Sequence, residues 1–242
     1  MLKIQFHLHT SQDPIDNIRH SEKELIDKAA KLGYNALSIT CHNKVIFDDD
    51  LKKYAAQKNI LLIPGIEKSI FRKHVLIINA DQEAEKIQNF EDLKTYRQKK
   101  PDCLVIAAHP FYPVPISLKE NLEKHIDLFD AIEYSWYHSK KLNKYNKMAA
   151  SLAEKYAKPM LGTADNHILK YLNMTYSMVE ADKNIASIFA AIKHGKISIV
   201  SRDLPWWKLP TIISWMLLKA FLKHADSNLR TGLWRLFTRA KK

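Results

Sequence analysis

Short apolar runs alternate with longer amphipathic stretches along most of this chain. The opening LKIQFHLH has the length and apolar content of a strand, and similar runs recur at about 36–40, 60–63, 75–78, 104–107, 131–134, 160–163, 175–179 and 197–200. Between them the spacing changes to helical steps. Ser21 and Glu24 stand at capping-box distance, Leu25, Ala29 and Leu32 follow at helical intervals, and Gly33 can supply the left-handed stop. Further helices are predicted in the fifties and at about 89–99, 118–128, 140–157 and 184–194. Repeated strand-helix units with continuously apolar strands predict an α/β architecture on a parallel sheet. Seven or eight units within about 200 residues fit a closed barrel better than two domains.

After about residue 203 the pattern changes, which divides the chain into a barrel over 1–203 and a C-terminal extension over 204–242. The extension carries Trp206, Trp207, Trp215 and Trp234, four of the five tryptophans. Leu209, Ile212, Ile213, Met216, Leu217, Ala220 and Phe221 recur at three- and four-residue steps, predicting an amphipathic helical tail, and a shorter helix is expected at about 229–237. Its apolar run of ten residues is too short to span a bilayer, which needs about 20.

Composition narrows the class. A 242-residue chain with 46% hydrophobic and 26% charged residues can bury a large core, which excludes intrinsic disorder. Cys41 and Cys103 form no CxxC pair, and MLKIQFHLHT lacks the apolar run of a secretory signal, so a cytoplasmic protein, peripheral to a membrane at most, is expected. The net charge is +12, and the stretch from Lys196 to Lys242 holds ten basic residues against two acidic ones. Such a tail suits an anionic membrane surface, nucleic-acid phosphates, or packing on the barrel or another subunit.

The polar residues fall at strand ends. His7 and His9 close the first strand, and alternation puts both imidazoles on one side. Asp13 lies in the next loop; His42 follows the second strand; Glu67 stands in PGIE and His74 at the start of the following strand. His109 stands in AAHPF, and Asp165 and His167 in GTADNH. In a parallel barrel these positions converge on one mouth. Nine imidazole and carboxylate ligands exceed the coordination of one ion, so a cluster of two or three divalent metals (Mn, Fe or Zn) is the expected cofactor. His20, His125, His138, His194 and His224 are read as surface or satisfied core residues.

The order HxH, Asp, strand-borne His, GxE, His, HP and DxH resembles the polymerase and histidinol phosphatase (PHP) family of metal-dependent phosphoesterases, over roughly residues 1–200. The resemblance implies a distorted (β/α)7 TIM-like barrel with a trinuclear site. It implies that His7, His9, Glu67 and Asp165 hold one metal, that Glu67 bridges to a second held by His74 and His109, and that Asp13, His42 and His167 hold the third. Two departures touch the third metal. Cys41-His42 stands where the family commonly has Asp-His, which leaves His42 without its acidic orienting partner, and Gln12-Asp13-Pro14 replaces the usual Ser-Asp-Gly.

A cluster of this kind suits phosphate-ester hydrolysis by a metal-bridging hydroxide, with Glu67, His109 and Asp165 supporting that hydroxide. GxSxG, CxxxxxR and GxxxxGK motifs are absent from the sequence. Arg19, Lys44 and Arg202 are candidate holders of substrate phosphate. The expected substrate is a phosphomonoester or phosphodiester, with nucleotides or short oligonucleotides favoured by the basic balance. The alternatives are a small-metabolite phosphatase of the histidinol-phosphate type and a membrane- or nucleic-acid-associated binding protein with a weakened site.

Overall fold

Residues 1–205 and Trp207 are described by the computed structural model. Nine strands and six α-helices are found among them: β1 (Leu2–Gln5), α1 (Glu22–Lys31), β2 (Ala36–Ile39), α2 (Asp49–Gln57), β3 (Leu61–Ile70), β4 (Lys73–Ile78), α3 (Phe90–Lys99), β5 (Leu104–Ala107), α4 (Glu120–Lys124), β6 (Ala131–Ser135), α5 (Lys144–Lys155), β7 (Met160–Thr163), β8 (Thr175–Val179), α6 (Ile185–Lys193) and β9 (Ile197–Ser201). The Ser21–Glu24 capping box starts α1, and Asn89 with Asp92 builds a second one at α3.

The strands form one sheet in the order β7-β6-β5-β4-β3-β2-β1-β8-β9. The runs β1-β2-β3 and β5-β6-β7 are parallel, as expected. β4 corrects the expectation of an all-parallel barrel, because it is antiparallel to both neighbours. Only Phe71 and Arg72 connect it to β3, both at positive φ, and a two-residue turn returns the chain antiparallel. β8 is antiparallel to β1, and β9 to β8. The sheet curls until β7 meets β8 without a backbone ladder; there Gly162 N–H donates to Ser177 Oγ (2.8 Å) and Ser177 Oγ–H donates to Gly162 O (3.1 Å). The result is a mixed α/β fold with a nearly closed, barrel-like sheet.

Alternation along the strands separates the inner from the outer core. Ile4, Phe6, Ile63, Leu76, Ile106 and Leu161 join Ile188 and Phe189 of α6 in one cluster. Their immediate neighbours face the other way: Ile77, Val105 and Ile132 pack with Leu93 and Ala149 of α3 and α5. Leu37 and Leu62 pack with Leu25 and Ile26 of α1.

The compact unit that holds the sheet comprises Met1–Trp136 and Asn143–Arg202. A second unit comprises Tyr137–Leu142 and Asp203 onward. Within it Leu204 N–H donates to His138 O (2.9 Å), and Asp203 Oδ1 lies 3.2 Å from His138 Nδ1. Trp207 is exposed, while the amphipathic segments expected at 209–221 and 229–237 lie outside the described residues.

Gly65 lies on β3, next to Pro64, which pairs with Ile39 of β2. A Cβ there would collide with Ser38 Oγ and stand 2.9 Å from Thr40 Cγ2. Gly65→Ala is therefore expected to cost about 1–3 kcal/mol through strand displacement, read as a lower midpoint in urea unfolding.

Candidate metal centre

Beyond Gln5 the first strand stays extended and continues between two neighbours. Thr40 N–H donates to Leu8 O (2.8 Å), Asn166 N–H donates to His7 O (3.1 Å), and His9 N–H donates to Asn166 O (3.2 Å). Leu8 enters the outer core, so His7 and His9 face the barrel mouth together. His42 extends β2 beside Glu67, which lies within β3, through Glu67 N–H to Cys41 O (3.2 Å) and Asn43 N–H to Glu67 O (2.9 Å). The hairpin places His74 opposite Ser69, two residues beyond Glu67.

Glu67, only 1% exposed, is the hub. Its Oε1 lies 3.3 Å from His7 Nε2, 3.2 Å from His109 Nε2 and 2.6 Å from His74 Nδ1. Its Oε2 lies 3.3 Å from His9 Nε2 and 3.1 Å from His42 Nε2. Asp165 Oδ1 stands 3.3 Å from His7 Nε2, 3.4 Å from His9 Nε2 and 3.3 Å from His167 Nδ1. Buried His7 Nε2, His9 Nε2 and His74 Nδ1 face these carboxylates without making a hydrogen bond. Donors held about 2.0–2.2 Å from one ion are themselves about 3.0–3.4 Å apart, so most of these separations match ligands sharing an ion. The donor set of imidazole and carboxylate suits Zn, Mn or Fe.

Four groups of donor atoms come together closely enough to hold an ion: His7, His9 and Asp165; His7, Glu67 and His109; His9, Asp13 and His42; His42, Glu67 and His74. His167 joins from the side, its ring 4.3 Å from that of His9. All nine side chains expected from the sequence are thus gathered in one place. Arg19, Lys44 and Arg202 are exposed, and the charge of Arg202 acts on Lys3 and Tyr34.

Asp13 does more than the sequence suggested. Its Oδ2 lies 2.9 Å from His9 Nδ1 and 2.8 Å from His42 Nδ1, and accepts the His42 backbone N–H at 2.9 Å. Its Oδ1 accepts the N–H groups of Ile15 and Asp16, both at 2.8 Å. Asp13 therefore backs both rings with Nε2 turned toward Glu67, and His42 has an acidic partner after all, correcting the expectation drawn from Cys41. Cys41 itself is buried, with Sγ 3.5 Å from Thr10 Oγ1. Three of these rings are thus backed by carboxylates, because Glu133 Oε1 stands 3.0 Å from His7 Nδ1.

Glu133 and Asp16 were missed by sequence reading. Asp16 Oδ2 lies 3.0 Å from His167 Nε2. The signal for Glu133 was a lone acid inside the apolar strand AIEYS. Asp16 carried none, standing in a polar loop beside Asp13. His20, read as a surface or satisfied core residue, is buried and its Nε2–H donates to His9 O at 2.8 Å.

Charge coupling sets the protonation of the cluster. Burial opposes the charged form of His7, yet Asp165, Glu67 and Glu133 outweigh it and raise its pKa well above the usual value. His9 follows the same balance against burial, raised by Asp13, Asp165 and Glu67, and His109 is raised by Glu67 and Glu133. Glu67 and Asp165 also resist burial and are held well below the carboxylate range, Glu67 by His74, His7 and His42 and Asp165 by His7 and His167. For His74 burial prevails and its pKa falls. Backbone strain marks the same place: His109 and Asp165 have φ of 26° and 40° without being glycine.

Comparisons with known proteins show likeness in sequence over short segments and in fold over most of the chain. Residues 143–197 match the family model described as PHP-associated. A 65-residue stretch, 27% of this chain, is 37% identical to the PolC-type DNA polymerase III of Staphylococcus saprophyticus and spans 4% of that polymerase. In fold, the chain is similar to a two-domain protein from Bacteroides vulgatus containing a predicted PHP-like metal-dependent phosphoesterase, with a TM-score of 0.65 at 21% identity over 83% of this chain and 65% of that one. It is also similar to a lesion-specific endonuclease from Pyrococcus furiosus, with a TM-score of 0.57 at 17% identity over 82% and 57% of the two chains.

The raised histidines make a pH prediction for the metal-stripped protein. His7, His9 and His109 titrate above the ordinary His value of about 6.5 in the folded chain, so the stability they confer is complete below that pH and is lost as pH rises through their folded values. His20 and His74 are shifted down, so their effect lies below that pH and does not offset the loss. Metal must displace the same protons and gains affinity as pH rises. From about pH 6.5 to 9 the Tm of stripped protein is expected to fall while the increment in Tm from added Mn²⁺ grows. A rising Tm of the stripped protein over that range contradicts the assignment.

Proposed function

We propose that the chain is a metal-dependent phosphoesterase of the PHP type and that it hydrolyses phosphate esters, with nucleotides or short oligonucleotides as the favoured substrates; the PHP-associated segment and the fold support this reading. The observation that carries this reading is the convergence of five imidazoles on buried Glu67, three of their nitrogens lacking hydrogen bonds. In this reading His7, His9, Glu67 and Asp165 hold one divalent ion. Glu67, His74 and His109 hold a second. His42 and His167 contribute to a third, with Asp13 backing the His42 ring and Asp16 beside that of His167.

Divalent ions held by these residues would supply an activated water at neutral pH and charge to balance the phosphoryl oxygens. The two oxygens of Glu67 face different histidines, the arrangement a bridging ligand needs. Asp13 fixes the rings of His9 and His42, and the strained backbone at His109 and Asp165 keeps both side chains on the mouth. Arg19 and Lys44, exposed on the loops that follow β1 and β2, are proposed to meet substrate phosphate, with Arg202 as a third cation.

The favoured substrate class is supported by the net charge of +12, by the fold likeness to a lesion-specific endonuclease and by the segment shared with PolC-type DNA polymerase III. A binding protein with a weakened site drew its support from Cys41, and Asp13 at His42 removes that ground. No helix among the described residues is long and apolar enough to cross a membrane.

Elemental analysis of protein purified without chelator, with hydrolysis of an aryl phosphate and its diester in Mn²⁺, tests the reading. Two or three ions per chain with turnover are expected; less than one ion and no turnover would sink it. Glu67→Gln is expected to abolish hydrolysis while leaving cooperative thermal unfolding of the metal-free chain, and normal turnover in that variant refutes a bridging carboxylate.

A further inference from the structure

Glu133 occupies the middle of β6, fully buried between Ile132 and Tyr134. A carboxylate in such a strand costs several kcal/mol unless its oxygens are satisfied. Three donors meet it. Its Oε1 stands 3.0 Å from His7 Nδ1 and accepts the Thr163 hydroxyl, and its Oε2 accepts the backbone N–H of His109. These donors come from the ends of β1, β7 and β5, so one side chain ties together three strand ends at the mouth.

Two of the donors belong to residues that face Glu67. With Nδ1–H donated to Glu133, the His7 ring turns Nε2 toward Glu67 and Asp165, and a metal that displaced the Nε2 proton would find its lone pair already aimed there. The second bond secures the His109 amide, whose φ of 26° is unfavourable for a residue with a Cβ, while Ser117 Oγ–H holds the His109 carbonyl at 2.8 Å. Only a carboxylate offers acceptors on both oxygens. A glutamine of the same shape has one acceptor and would turn its NH₂ toward either the His7 ring or the His109 amide.

We infer that Glu133 is a positioning residue that orients His7 and His109 together, one for each of two adjoining metal positions. This rests on the reading of the cluster as a metal centre. A purely structural role, tying β6 to β7 through Thr163, would leave metal affinity untouched.

The test is Mn²⁺ binding to the metal-stripped full chain, by titration calorimetry, for wild type, Glu133→Gln and Thr163→Val, each corrected for its folded fraction. Glu133→Gln is expected to bind Mn²⁺ about 10–100-fold more weakly, the range for loss of a group that orients a metal-ligating His. Thr163→Val spares both bonds to the histidines and is expected to stay near wild type. Wild-type affinity in folded Glu133→Gln, or an equal loss in Thr163→Val, overturns the inference. If Glu133→Gln does not fold, Glu133→Asp keeps two acceptors one methylene short; weakened Mn²⁺ binding is again expected, and wild-type affinity overturns the inference. Absence of Mn²⁺ binding in wild type would instead overturn the metal-centre reading itself.

Discussion

Glu67 must keep its charge while buried among five imidazoles, and the rest of the structure is arranged around that requirement. A lone buried carboxylate would take up a proton. Here His7, His9 and His109 shift upward as Glu67 shifts downward, each favouring the charged form of the other. Divalent ions could replace the protons of those rings without moving the ligands far, because the donor separations already match those of shared coordination.

Delivering five rings to one carboxylate requires several strands to end at the same level. β1, β2 and β3 do so as parallel neighbours, and the β3–β4 hairpin adds His74 through a turn of only two residues. Rings brought together in this way also need fixed rotation. Asp13 behind His9 and His42, and Glu133 behind His7, supply it, so buried charge outside the cluster serves the charge inside it.

Much of this was legible in the residues because strand ends are easy to find and histidines there are conspicuous. HxH after an apolar run, PGIE, AAHPF and GTADNH mark strand ends whose His, Glu and Asp side chains the fold brings together. The direction of β4 was not legible: Phe71-Arg72 carries no Asn-Gly or Asp-Gly, the usual sign of a tight hairpin, and both residues take positive φ without glycine. Nor was the partner of His42 legible. The sequence showed Cys41 in the position of an acid, whereas Asp13 reaches His42 from a loop 29 residues away, a relation that spacing does not encode. Glu133 was hidden for the opposite reason, since a single acid in an apolar strand shows its meaning only once three strand ends surround it.

The sheet leaves a gap between its edge strands β7 and β9, spanned near Gly162 by side-chain bonds of Ser177 on the neighbouring β8 in place of a ladder. Above that gap Asn166 exchanges backbone bonds with His7 and His9, and Asp165 reaches both rings. The site is therefore also the clasp of the barrel, joining the first strand to a segment more than a hundred and fifty residues later. A chain that frayed at this seam would lose its ligand geometry at the same moment, so occupancy of the centre reports whether the whole ring of strands has closed.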